Sequence, residues 1–152
     1  MKGGGRTLGL GMGLALLAAP LRPADAACSI SATAVSFGSY DVFASAPLDS
    51  TGSVTYHCTI LTPAITITLD RGSASSFTPR RMLRGTQALT YNLYLDPARL
   101  VIWGDGTGGT QTYTALLPLP QNIVVPVYGR VPSGQDVAVG VYADTITATI
   151  LF

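Results

Sequence analysis

The chain is 152 residues long, with a formal net charge of +1 at neutral pH, a single histidine and two cysteines. That length suits one domain, and so weak a charge leaves no electrostatic footprint for nucleic acid or anionic lipid. Glu is absent throughout and Lys occurs only at position 2, while Thr, Val, Ile and Tyr are plentiful. Such a composition favours strands over exposed helices.

In chain order, the first element is a leader. Lys2 and Arg6 form a basic start, an apolar run extends from Leu8 to Ala19, Pro20 and Pro23 break it, and Ala24-Asp25-Ala26 offers small residues for a peptidase. This is the layout of a secretory signal peptide over residues 1–26, and the run is too short for a membrane-spanning helix, so no direct membrane insertion is expected. Cys28 lies close enough to suggest a lipoprotein, but Asp25-Ala26-Ala27 lacks the aliphatic residue expected three positions before such a cysteine. The domain expected to fold is residues 27–152, with six arginines (71, 80, 81, 84, 99 and 130) against seven aspartates.

Runs of alternating polarity predict strands at 29–37, 53–60, 64–70, 88–95, 100–103, 122–131 and 137–152. Turn chemistry separates them at 47–52, 62–63, 71–76, 96–97, 104–109, 118–120 and 132–134. Short strands at this spacing, with no helical period, indicate a two-sheet sandwich. The last segment is the most telling. Residues 142–152 read YADTITATILF, so Tyr142, Asp144, Ile146, Ala148, Ile150 and Phe152 share one face and Thr145, Thr147, Thr149 and Leu151 the other. A terminal strand of this kind belongs inside a sheet, and it is what assembly machinery for secreted β-proteins can grip.

Candidate chemistry is sparse. In an exported chain the even pair Cys28 and Cys58 reads as one disulfide. Closing a loop of about 30 residues, it would be worth roughly 3–4 kcal/mol on the chain-entropy model. Gly104, Gly106 and Gly109 fit G-x-G-x-x-G, but a strand-like Gln111-Thr112-Tyr113-Thr114 follows where a dinucleotide site needs a helix. Asp105 has no second carboxylate near it for a calcium loop, and Asp96 is too distant to pair with it as an acid–base couple. His57 could act as a base, but no local serine signature accompanies it, and alternation turns it away from the face of Tyr56 and Cys58. Arg80, Arg81 and Arg84 read as a solvated loop before they read as an anion site. Trp103 and the tyrosines read as core before they read as a sugar-binding surface.

Several stretches, taken in this order, resemble one family. They are Cys28 and Cys58, Phe37-Gly38-Ser39-Tyr40-Asp41, Arg81-Met82-Leu83, Leu89-Thr90-Tyr91-Asn92-Leu93-Tyr94-Leu95-Asp96, Val101-Ile102-Trp103-Gly104-Asp105-Gly106, Pro126-Val127-Tyr128-Gly129-Arg130-Val131-Pro132 and Gly140-Val141-Tyr142-Ala143-Asp144-Thr145-Ile146. The chain resembles the spore coat protein U domain family, whose members include subunits of archaic chaperone–usher pili, and the resemblance runs from Cys28 to Phe152. It implies an all-β fold, an immunoglobulin-like antiparallel β-sandwich left incomplete and closed by a strand supplied in trans. The implied partners are a periplasmic chaperone, an outer-membrane usher and other pilin-like subunits, with no cofactor, no metal and no enzymatic activity. Ile146, Ala148, Ile150 and Phe152 would form the strand-acceptor face and chaperone contact, the carboxylate of Phe152 would anchor on basic residues of the chaperone, and Cys28 and Cys58 would form the family's disulfide.

The expected function is therefore an exported structural subunit of a cell-surface fibre or related coat, passing through the periplasm and serving adhesion or biofilm. With cleavage after Ala26, only Ala27 precedes Cys28, where rod subunits carry a donor segment; the chain is expected to accept a strand without donating one, as a terminal subunit does. The alternatives are a self-contained secreted adhesin using exposed tyrosines or the 104–109 loop, and a hydrolase centred on His57.

Overall fold

The computed structural model describes residues 28–59, 64–116 and 118–152; the expected leader at 1–26 and the expected turn at 62–63 lie outside them. The strands are β1 (Cys28–Thr33), β2 (Leu48–Cys58), β3 (Ala64–Leu69), β4 (Arg80–Arg84), β5 (Gln87–Tyr94), β6 (Tyr113–Leu116), β7 (Ile123–Val131) and β8 (Ala148–Leu151). A five-stranded sheet, in the order β1-β2-β7-β5-β4, faces a three-stranded sheet in the order β6-β3-β8. Every pairing is antiparallel.

Period-two alternation decides what lies between the sheets. From β2 come Val54, Tyr56 and Cys58, from β3 Ile65, Ile67 and Leu69, from β5 Leu89, Tyr91 and Leu93, and from β7 Val125, Val127 and Val131, all buried. Trp103, fully buried, closes one end of this core. Its Nε1–H donates to the Ile67 carbonyl at 3.0 Å and its N–H to the Leu93 carbonyl at 2.9 Å, so the indole is tied to both sheets. Tyr113 packs beside Trp103 and Tyr56, with ring centroids 6.1 and 6.0 Å away. Burial, followed by the neighbouring Tyr113, pushes the Tyr56 hydroxyl up to about 12. Cys28 and Cys58 sit opposite each other at the ends of β1 and β2 and are joined by a disulfide.

The expected boundaries change in four places. The predicted turn at 47–52 is the start of β2, which pairs with β7 from Leu48↔Val131 onward. Gly52, a turn signal in the sequence, is instead a point of close approach: a Cβ there would lie 2.5 Å from the Thr33 carbonyl oxygen and 2.8 Å from Val35. Gly129, on the neighbouring strand, leaves the same kind of room beneath Val35 and Phe37. The predicted strand at 29–37 leaves its ladder after Thr33, and 100–103 contributes only isolated bridges at Ile102 and Trp103. Of the predicted strand at 137–152, only Ala148–Leu151 joins a sheet, with a further bridge pairing Ala143 to Leu83. Two strands, β4 and β6, lie outside the predicted spans, although β6 begins in the strand-like Gln111-Thr112-Tyr113-Thr114. The first forms a hairpin with β5 through Gly85-Thr86, Gly85 supplying the positive φ of 58° that tight hairpin turns require.

The largest revision concerns Arg80. It is not part of a solvated loop or an anion site, but is fully buried at the head of β4. Its guanidinium donates to the Asp70 carbonyl (3.0 and 2.8 Å), the Trp103 carbonyl (2.7 Å) and Asn92 Oδ1 (2.9 Å), and stands 5.1 Å from the centre of the Phe77 ring. Asn92 in turn donates to the Phe77 carbonyl at 2.8 Å. One planar cation thereby satisfies loop carbonyls that would otherwise be orphaned, which is the use to which a guanidinium is best suited. Burial lowers its pKa from the usual guanidinium range, while Tyr91, Asp70, Asp144 and Asp105 oppose the shift.

Candidate strand-acceptor groove

An open groove of about 1170 Å³ runs between two stretches of chain, residues 32–42 on one lip and 137–146 on the other. Its floor is one margin of the core, with the buried Val54, Leu69, Leu89, Leu93, Val127 and Val131 among its lining. Residues 34–40 and 137–142 belong to no strand ladder, so each lip presents backbone where a neighbouring strand would ordinarily lie. Alternation persists although, among residues 137–147, only Ala143, bridged to Leu83, and Thr147, bonded to Asp70, find backbone partners. Tyr142, Asp144 and Ile146 are half-buried while Val141, Ala143, Thr145 and Thr147 are exposed, and Val139 is 95% exposed.

Both lips are held in place. On the first, Val35 and Phe37 pack over Gly52 and Gly129, and Phe37 meets Tyr91 edge-on with centroids 5.9 Å apart. Tyr40 Oη donates to the Pro132 carbonyl at 3.0 Å and accepts from Gln135 N–H at 2.9 Å, pinning the lip to the end of β7. On the second lip, Asp144 is the anchor. Its Oδ1 accepts from the N–H and hydroxyl of Ser73, both at 2.8 Å, and its Oδ2 from the Tyr91 hydroxyl at 2.6 Å. Burial first, and this carboxylate second, raise the Tyr91 pKa far above the usual phenol value. Thr147 N–H donates to Asp70 Oδ1 at 3.0 Å, and Asp70 N–H to the Thr147 carbonyl at 3.1 Å. The groove is therefore a framed opening rather than a frayed edge. Its chemistry suits an extended chain, which could add main-chain hydrogen bonds to either lip and set alternate side chains on the apolar floor.

The sequence-predicted acceptor residues divide along this geometry. Ile146 and Ala148 line the groove, and Ala148 pairs with Leu69 at the start of β8. Ile150 lies deeper in β8 opposite Ile67, outside the groove lining, and Phe152 follows the strand at 58% exposure. Sequence reasoning did not find the first lip, although Val35 and Phe37 ahead of Gly38 carried the right alternation.

The other candidates have local explanations. The 104–109 loop closes on itself: Asp105 Oδ1 accepts from Thr107 N–H (2.9 Å) and hydroxyl (2.6 Å), while Thr110, 2% exposed, accepts from Gly106 N–H and donates to the Thr107 carbonyl. Its polar groups thus look inward rather than toward a phosphate. Asp96 caps the following turn by accepting from Leu100 and Val101 N–H, and the Val101 contact above all lowers its pKa. His57 stands on the outer face of β2 opposite Ser29, whose hydroxyl reaches the His57 carbonyl rather than the imidazole. Trp103 is wholly buried, so it presents no stacking surface to a sugar. Among the described residues no three His, Cys, Asp or Glu side chains gather as a metal site.

Among the described residues the fold is a pair of antiparallel sheets without a helix, an architecture it shares with a pilus subunit. One chain of the crystal structure of the CsuC–CsuE chaperone–tip adhesion subunit pre-assembly complex, from archaic chaperone–usher Csu pili of Acinetobacter baumannii, shares it with a TM-score of 0.57 at 21% identity. The match covers 84% of the present chain but 40% of that one, and it speaks for the fold. The Spore Coat Protein U domain model matches residues 15–149, and the chain belongs to that family. Protein U of Myxococcus xanthus is 41% identical over 144 residues, covering 83% of this chain and 78% of Protein U. The family is structural rather than enzymatic.

Proposed function

We propose that this chain is an exported structural subunit of a surface fibre or coat, completed by a strand that another protein lays into the groove between residues 32–42 and 137–146. The observation that carries this reading is the pair of lips: both border the apolar floor, both are anchored, and neither is in a ladder along 34–40 or 137–142. An opening bordered by about ten residues on each side has room for a long strand, roughly 30 Å. An exposed apolar seam with unpaired backbone is an aggregation hazard, and a supplied strand removes it. Ile146, Ala148, Ile150 and Phe152 would meet a periplasmic chaperone first and a neighbouring subunit later, with an outer-membrane usher between the two. Residues 1–26 would direct export. With cleavage after Ala26 the chain would accept a strand without donating one, as a terminal subunit would.

The adhesin alternative lacks its aromatic platform, because Trp103 is buried and Tyr113 packs against it. The deciding experiment exports the chain with its disulfide formed, with and without the candidate chaperone, and follows monomer yield and thermal unfolding. Degradation or aggregation alone, rescued as a one-to-one complex, supports the proposal. A stable cooperative monomer indifferent to the chaperone overturns it.

A further inference from the structure

Tyr91, on β5 in the floor of the groove, touches both lips. Its ring meets Phe37 of the first lip edge-on, at 68° with centroids 5.9 Å apart, and its hydroxyl donates to Asp144 Oδ2 of the second lip at 2.6 Å. The row continues on either side. Phe37 sits over Gly129, where a Cβ would lie 2.7 Å from the ring, and Asp144 Oδ1 accepts from Ser73. Gly72, at a φ of 58°, leaves the room that the Asp144 carboxylate fills. Asp144 is also where the second lip changes sheets. Ala143 bridges Leu83 of β4 in the large sheet, whereas Ala148 pairs with Leu69 of β3 in the small one. Between them the chain crosses the seam, and Tyr91 holds it there from the floor. Buried and beside a carboxylate, the Tyr91 hydroxyl keeps its proton and stays a donor.

We propose that Tyr91 is a positioning residue for strand uptake, a strut that sets the spacing of the two lips before any strand arrives. This rests on the subunit reading of the groove and adds to it the residue that makes the opening ready. A strand that pairs with both lips needs them about 10 Å apart, twice the spacing of paired strands. Lips free to move would lean over the apolar floor, and an entering strand would first have to part them. Fixed spacing removes that cost, so the strut acts on strand binding more than on the fold.

The test takes one-to-one complexes of the full chain, disulfide formed, with labelled candidate chaperone, and follows release of the label into excess unlabelled chaperone. Tyr91→Phe keeps the ring on Phe37 and removes only the hydroxyl. Its complex is expected to release about tenfold faster, the worth of one charge-assisted hydrogen bond. Asp144→Ala should release at least as fast. Asp144→Asn, whose amide can donate to Tyr91 Oη, should stay within about threefold of wild type. Ile67→Val, a core change outside the groove lining, shows what lost stability alone does, and is expected to leave release unchanged. Release from Tyr91→Phe no faster than from Ile67→Val would overturn the strut and leave the subunit reading standing. Should Tyr91→Phe yield no complex, the two Asp144 variants decide: equal release from Asn and Ala overturns the strut. Wild-type chain that forms no complex would overturn the subunit reading and the strut with it.

Discussion

The two sides of the sandwich obey the same sequence rule with different results. Along β2 and β7, nine consecutive register pairs from Leu48↔Val131 to Tyr56↔Ile123 turn alternation into a closed ladder, with Val54, Tyr56, Val125 and Val127 almost wholly buried. Along the groove, Tyr142, Asp144 and Ile146 alternate just as regularly and reach only half burial. Alternation sets which way a side chain points; burial requires something on the other side. The groove is thus a stretch of core margin with no strand laid across it, and the contrast with the closed side can be tested directly.

The closed side should break hardest. Trp103→Ala removes the largest fully buried side chain and leaves the Ile67 carbonyl without its indole donor. A loss of about 3–5 kcal/mol is expected in denaturant unfolding; a loss under about 1 kcal/mol would mean that this end of the core is not packed as described. Arg80→Met should cost about 3 kcal/mol by stranding the Asp70 and Trp103 carbonyls and the Asn92 amide oxygen. Arg80→Lys should recover less than half of that, since one ammonium cannot span the guanidinium's acceptors. Full rescue by Lys would show that charge, not the planar fork, is what matters there.

The open side should behave otherwise. Ile146→Ala, at a half-buried groove position, is expected to lower the stability of the isolated chain by only about 1 kcal/mol. It should weaken complex formation with a strand-supplying partner by about tenfold, which corresponds to about 1.4 kcal/mol. Val54→Ala should show the reverse balance, more stability lost and less binding. If titrations rank the two variants the same way in both measurements, the distinction between closed and open sides collapses.

The smallest effect lies outside both regions. Asp49 accepts from Arg130 through both oxygens, at 2.7 and 2.8 Å, with Arg99 at 3.3 Å. The Arg130 hydrogen bond above all lowers its pKa. This surface cluster should contribute about 0.5 kcal/mol. Because the folded pKa lies below the ordinary carboxylate value, the contribution is complete above about pH 4 and disappears as pH falls through the lowered value. The stability gap between wild type and Asp49→Asn should therefore close on acidification, and a gap that widens in acid would reverse the assignment.

Much of this was legible in the residues. The facing of β2, β3, β5 and β7, the disulfide partners and the emptiness of the 104–109 glycine motif all follow from local alternation and turn chemistry. Arg80 was not legible: a charged residue beside Arg81 reads as solvated until folding brings the Asp70 and Trp103 carbonyls to its fork. Nor was Gly52, whose missing side chain reads as a turn until Thr33 and Val35 are seen to lie over it.

The groove shows the same division. Period two, a property of the extended backbone alone, made Tyr142, Ile146, Ala148 and Ile150 one face in the sequence itself. Whether such a face becomes core, groove or surface depends on chain distant in sequence. The second lip's neighbours are β3, β4 and residues 32–42, set there by pairing and by the Asp144 and Tyr40 anchors. Ladder partners are non-local, and only the tertiary structure could show that residues 34–40 and 137–142 join no strand ladder among the described residues.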